Sequence, residues 1–224
     1  MDINKSNIQL KVNDKNVNAY LATPEKGGPG ILVLPSWWGL KPFFKQVCDQ
    51  LAEDGYTALA LDYYNGRVGN TIKETQTLQQ EVEGDPSVMS AMVKAAKDHL
   101  VSLRLGKSIG VLGFSMGTDW AVITAAKEPD ILTMVLFYGG YSGVDFSKMR
   151  SKVLVHYAET DEWYSFDQVK DMEQKMKSAG VDVTLHIYPN VHHWFMEDDR
   201  PEYDLNSAQL AWQRTIEFLK HNLY

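Results

Sequence analysis

"SIGVLGFSMG", residues 108–117, joins an apolar run without alternation to a serine enclosed by glycines. A continuous run of this kind marks a strand buried on both faces. Gly113, Ser115 and Gly117 complete a G-x-S-x-G pattern, and a helical pattern begins near Met116 and continues to Ala126. Strand, glycine-flanked serine and helix in that order describe a strained turn that presents the serine at a strand end, with glycines letting the two backbones pass closely. Ser115 is therefore the candidate nucleophile.

Moving outward, five more apolar runs begin at Ile31, Thr57, Leu132, Lys152 and Val183. Helical patterns separate them over residues 41–54, 88–105, 167–179 and 207–221. The alternation predicts an α/β fold with a mainly parallel central sheet and helices on both faces. Two alternating stretches, "IQLKV" from Ile8 and "VNAYLA" from Val17, are parted by "NDKN" and predict an antiparallel N-terminal hairpin at one edge. Residues 63–86 have mixed loop and helix character that would suit a lid.

The 224 residues are 44% hydrophobic, enough for one sizeable core, so a single domain over 1–224 is expected. The net charge of −7 and the absence of a basic block argue against nucleic acid and anionic membrane as partners. "MDINKSNIQL" lacks the pattern of a signal peptide, and no apolar run approaches a bilayer's thickness; a cytoplasmic protein is expected. Small molecules are the expected partners, acting on a monomer or homodimer. The single cysteine, Cys48, lies in "FFKQVCDQLAEDG" and reads as a buried helix residue. His192 and His193 are adjacent rather than at helical metal-ligand spacing, no cysteine pair exists, and no dinucleotide glycine motif follows a strand. Neither a metal nor a cofactor is expected.

A serine hydroxyl needs a base to take its proton, and the base needs an acid to orient it. In a hydrolase of this plan the acid follows the nucleophile in the chain and the histidine comes last. "KVLVHYAETDEW" offers Asp161, three residues past a strand expected to end near Ala158, with Glu159 and Glu162 as rivals. "TLHIYPNVHHWF" offers His192 and His193 after a strand and the turn "PN", and spacing alone does not choose between them. His99, His156, His186 and His221 fall within helices or strands and are poor candidates. Trp37, Trp38, Tyr138, Trp163, Tyr164, Trp194 and Phe195 gather beside the same expected loops, suggesting an apolar pocket.

Ser115, Asp161 and His193, with "DGYTALALDYYNGR", "VLFYGG", "VHYAETDEW", "YPNVHHWF" and "YDLNSAQLAWQRTIEFLK", resemble the dienelactone hydrolase family of α/β-hydrolases over residues 30–219. The resemblance implies an ester or lactone hydrolase and selects His193, because Trp194 and Phe195 follow it as the family pattern requires. It also implies an oxyanion hole from the backbone amides of Trp37 and Met116. Three departures stand out. The family's namesakes use a cysteine where this chain has Ser115, a glutamate where it has Ser36, and an arginine four residues beyond the histidine, where it has Glu197. A substrate carboxylate would meet like charge at Glu197, so neutral, apolar esters or lactones are the expected substrates. Arg67 is the remaining candidate for an anion anchor. The alternatives are a non-catalytic binding protein on the same fold, or an acyl-transfer or perhydrolase variant of the chemistry.

Overall fold

A computed structural model describes residues 2–103 and 109–223. The chain divides into two compact units, Met1–Ile109 and Gly110–Tyr224, a division that falls inside one strand of the expected single domain.

The first unit begins with the hairpin β1 (Ile3–Val12) and β2 (Lys15–Pro24), paired antiparallel from Ile3↔Pro24 to Val12↔Lys15. Both strands are longer than the alternating cores around Ile8 and Val17 predict, because polar residues such as Asn4, Lys5 and Ser6 extend the exposed ladder. β2 pairs antiparallel with β4 (Thr57–Leu61), and β4 pairs parallel with β3 (Gly30–Leu34), giving the order β1-β2-β4-β3. Every residue of β3 and β4 is buried, as their unbroken apolar runs require.

α1 (Pro42–Glu53) connects β3 to β4, opening with a proline at its first position and burying Phe44, Val47, Cys48, Leu51 and Ala52. Gly55, at φ 96°, turns the chain out of α1. A Cβ at Gly28 would lie 1.8 Å from the Gly55 carbonyl oxygen, so only glycine allows this approach. Residues 63–86 contain α2 (Ile72–Glu83), capped by the Thr71 side chain. α3 (Pro86–Ser102) follows, capped by Asp85. The helix expected to reach residue 105 and the strand expected from residue 108 have those ends outside the described residues.

The second unit carries β5 (Ile109–Phe114), β6 (Ile131–Phe137), β7 (Lys152–Thr160) and β8 (Val183–His192) in that spatial order, with the β6–β7 and β7–β8 pairs parallel. α4 (Met116–Ala125) follows β5, α5 (Phe166–Ser178) follows β7, and α6 (Leu205–Leu223) follows β8. A complete capping box at Ser165 and Gln168 starts α5.

Two strand ends differ from expectation. β7 continues through Glu159 to Thr160, and β8 continues through Pro189 and Asn190 to His192, with a register shift between Ala158 and Thr160. Pro189 is tolerated because β8 lies at the end of the strand order, and Asn190 takes a left-handed φ of 58° within the irregularity. Among the described residues no helix is long and apolar enough to cross a membrane.

Candidate active site

The serine turn is strained as its pattern predicts. Ser115 sits at φ 50°, ψ −119°, between β5 and α4, a conformation costly for any residue with a Cβ. Its amide donates to the Phe137 carbonyl (3.0 Å), while its own carbonyl accepts from the Thr118 amide (2.8 Å) and hydroxyl (2.6 Å). These bonds hold the turn from both sides. A Cβ at Gly113 would come within 2.6 Å of the Gly117 carbonyl oxygen, which accounts for the first glycine of the pattern. Met116 is the first residue of α4, where a backbone amide has no acceptor within its own helix.

β7 and β8 deliver the partners. With β7 running to Thr160, Asp161 is the first residue beyond the strand rather than the third. Its side chain is buried although its backbone is not. Oδ2 lies 2.8 Å from His193 Nδ1, and Oδ1 accepts from the amides of Trp163 (2.9 Å) and Tyr164 (2.8 Å). His193 Nε2 lies 2.8 Å from Ser115 Oγ. An ionised carboxylate only accepts, so Asp161 holds the imidazole proton on Nδ1 and leaves Nε2 to accept from the serine hydroxyl. Expected nucleophile, base and acid therefore meet in one hydrogen-bonded chain within the second unit.

The rivals have other partners. His192 is the last residue of β8, not a residue beyond a turn, and faces outward to pair with Glu162 at 2.7 Å, both side chains about half exposed. That hydrogen bond holds the Glu162 carboxyl below its usual range. Glu159 accepts the Asn190 amide at 2.9 Å. Successive residues at a strand end face opposite sides, so one acid–histidine pair is buried and its neighbour lies in solvent.

Aromatic rings enclose His193, which is 0% exposed. Tyr164 stacks on it with centroids 5.8 Å apart and planes at 10°, while Tyr138 and Trp194 meet it edge-on. Tyr138 (φ 42°) and Trp194 (φ 66°) are both held in left-handed conformations. Tyr138 donates its hydroxyl to Glu197 Oε1 at 3.0 Å, and burial followed by the Glu197 charge pushes its ionisation far above the usual phenol range. Phe195, Tyr138 and Glu197 are fully buried, Phe195 and Glu197 both against Tyr138, whereas Trp163 is 43% exposed beside the histidine. The Tyr164 hydroxyl donates to Asp119 Oδ2 at 3.1 Å, a link that residue spacing does not reveal.

In the first unit, Ser36, Trp37 and Trp38 occupy the buried turn after β3. The two indoles meet edge-on at 5.3 Å. Carbonyls of Pro35, Ser36, Trp37 and Trp38 each accept a hydrogen bond, from Tyr63 Oη, the Gly39 amide, Tyr64 Oη and the Gly69 amide, which fixes the turn's backbone. Arg67 spends its charge on Glu81 at 2.6 Å. Cys48 is buried, and burial raises its thiol well above the usual range.

The model of the dienelactone hydrolase family matches residues 17–223. "Protein usf" of Aquifex pyrophilus is 34% identical, the match covering 96% of this chain and 98% of that one. A protein provisionally named carboxymethylenebutenolidase from Aquifex aeolicus is 30% identical, covering 95% and 96%. A crystal structure provisionally titled dienelactone hydrolase, from Klebsiella pneumoniae, superposes with a TM-score of 0.83 at 25% identity, covering 98% of this chain and 99% of that one. With a family model and relatives matching over almost its whole length, this chain belongs to the dienelactone hydrolase family and has its α/β-hydrolase fold.

Proposed function

We propose that this protein is a serine hydrolase that cleaves neutral carboxylic esters or lactones through an acyl-enzyme. The observation carrying this reading is the continuous chain Ser115 Oγ, His193 Nε2, His193 Nδ1, Asp161 Oδ2, with both hydrogen bonds at 2.8 Å and the serine in a strained turn. His193 takes the Ser115 proton as Oγ bonds to the carbonyl carbon. Asp161 stabilises the imidazolium that results. The tetrahedral intermediate collapses, the ester's C–O bond breaks, and His193 gives its proton to the departing alkoxide. Water then repeats the attack, its proton passing to His193 and from there back to Ser115 as the acid leaves.

Negative charge on the tetrahedral oxygen calls for two N–H donors. The Met116 amide is one candidate, at a helix N-terminus; the Trp37 amide is assigned by the family pattern. Loss of one such donor costs on the order of 3 kcal/mol.

Preference for neutral substrates rests on Glu197. Where the family's namesakes have an arginine, this chain holds a buried carboxylate whose Oε1 accepts from Tyr138. A substrate carboxylate brought toward it would be repelled rather than paired. Half-exposed Trp163 supplies apolar surface for the acyl or alcohol group. Parallel kinetics on p-nitrophenyl butyrate and on a dienelactone carboxylate test the reading: the neutral ester should be turned over with the higher kcat/KM, and efficient hydrolysis of the anionic lactone would refute the preference.

A further inference from the structure

We infer that Tyr164 is a positioning residue that sets the plane of the His193 imidazole. The inference rests on the reading of Ser115, His193 and Asp161 as the reacting groups. Tyr164 is fixed at four points. Its amide donates to Asp161 Oδ1 (2.8 Å), its carbonyl accepts from Tyr157 Oη (3.1 Å), its ring stacks on His193, and its hydroxyl donates to Asp119 Oδ2 (3.1 Å). Asp119 lies in the first turn of α4, the helix that Ser115 begins, so one tyrosine touches the acid and the base directly and the nucleophile's helix through its hydroxyl.

The geometry of the ring explains why this contact differs from the others. Tyr138 and Trp194 meet the imidazole at 65° and 79°, whereas Tyr164 lies within 10° of parallel. Edge contacts limit sliding; a parallel face limits tilt. A tilted imidazole would lose its alignment with Ser115 Oγ or with Asp161 Oδ2, and both must hold at once. The same π-face also meets the imidazolium as it forms. The phenol is suited to act as a fixed donor, because burial and then the Asp119 charge push its ionisation far above the usual range.

Replacing Tyr164 with leucine should separate positioning from mere packing. For Tyr164→Leu we expect kcat on p-nitrophenyl butyrate to fall about 10- to 30-fold with KM changed less than about 2-fold, as expected for a misaligned catalytic group. The far-downfield proton signal of the His193–Asp161 hydrogen bond should broaden or move. Tyr164→Phe keeps the stacked ring and loses the tether, so it should keep that signal and lose about 3-fold at most in kcat. If the leucine variant fails to fold, Tyr164→Met carries the same expectation. Wild-type kcat together with an unchanged proton signal in the leucine or methionine variant would overturn the proposal, as would a loss confined to KM. Ser115→Ala run alongside keeps the two readings apart: if it retains turnover, the nucleophile assignment fails, whereas the proton signal still reports on Tyr164.

Discussion

His156 and His193 are both fully buried in the second unit, and both ring nitrogens of each have hydrogen-bond partners. His156, in the middle of β7, has Tyr188 Oη at 2.8 Å on Nδ1 and Thr215 Oγ1 at 3.0 Å on Nε2. Thr215 gives its own proton to the Ala211 carbonyl (2.9 Å), so it accepts from Nε2–H, and Tyr188 donates to Nδ1. This arrangement is complete only for a neutral ring. Burial, His186 and Arg214 all push the His156 pKa well below its ordinary value. His193 has a carboxylate on Nδ1, where His156 has only a hydroxyl, and a strained serine on Nε2. Burial alone therefore does not make a histidine a base. On the proposed reading, the charge of its partner and its place at a strand end set His193 apart.

The sharpest way to break this contrast is to remove the charge and keep the shape. Asp161→Asn should lower kcat/KM for a p-nitrophenyl ester by about 10⁴-fold, because an amide that donates to Nδ1 favours the wrong tautomer. Activity within tenfold of wild type would mean that His193 does not depend on a carboxylate.

His156→Phe should act on the other side of the comparison. It leaves the buried Tyr188 hydroxyl without its acceptor, and denaturant unfolding should register a loss of about 1–3 kcal/mol with kcat changed less than about 3-fold. Its pH dependence carries a sign. The folded-state pKa of His156 is depressed, so the unfolded chain takes up the proton first. Stability is then full above the unfolded value, near 6.5 by the usual histidine reference, and is lost as pH falls toward the folded value. His186, also depressed, contributes in the same direction. The variant should flatten the acid side by up to about 1.4 kcal/mol per pH unit, the share of one proton. An unchanged slope would show that His156 does not stay neutral as the chain folds.

The smallest effect belongs to the exposed copy of the acid–histidine pair. His192→Gln removes a half-exposed hydrogen bond to Glu162, and unfolding and kinetics should shift by less than about 1 kcal/mol and 2-fold. A large loss of activity would place His192 in the chemistry after all.

These contrasts were unequally legible in the sequence. Ser115 is marked by an apolar run, which burial of β5 requires, and by Gly113, which the close approach of the Gly117 carbonyl requires. His156 is identifiable as structural because it falls inside an apolar run. Spacing leaves His192 and His193 open, the family resemblance selects His193, and the facing of side chains at the end of β8 supplies the physical reason. Pro189 and Asn190 imitate a turn there, while the strand continues through an irregular register. β7 looked two residues shorter for a related reason: Glu159 and Thr160 are polar, yet Thr160 pairs with His192. Tyr164 gave no periodic signal. The role proposed for it rests on a ring stacked against His193, 29 positions further along the chain, and only folding brings the two together.

The central claim is that Ser115 is the nucleophile and His193 its base. It is tested most directly by incubating the protein with a fluorophosphonate and locating the adduct by peptide mass spectrometry, with His193→Ala in parallel. One adduct on Ser115 in the wild type, formed at least about 10³-fold more slowly in the variant, is the predicted result. No adduct, an adduct on Ser36 or another residue, or equal labelling of the variant would contradict it.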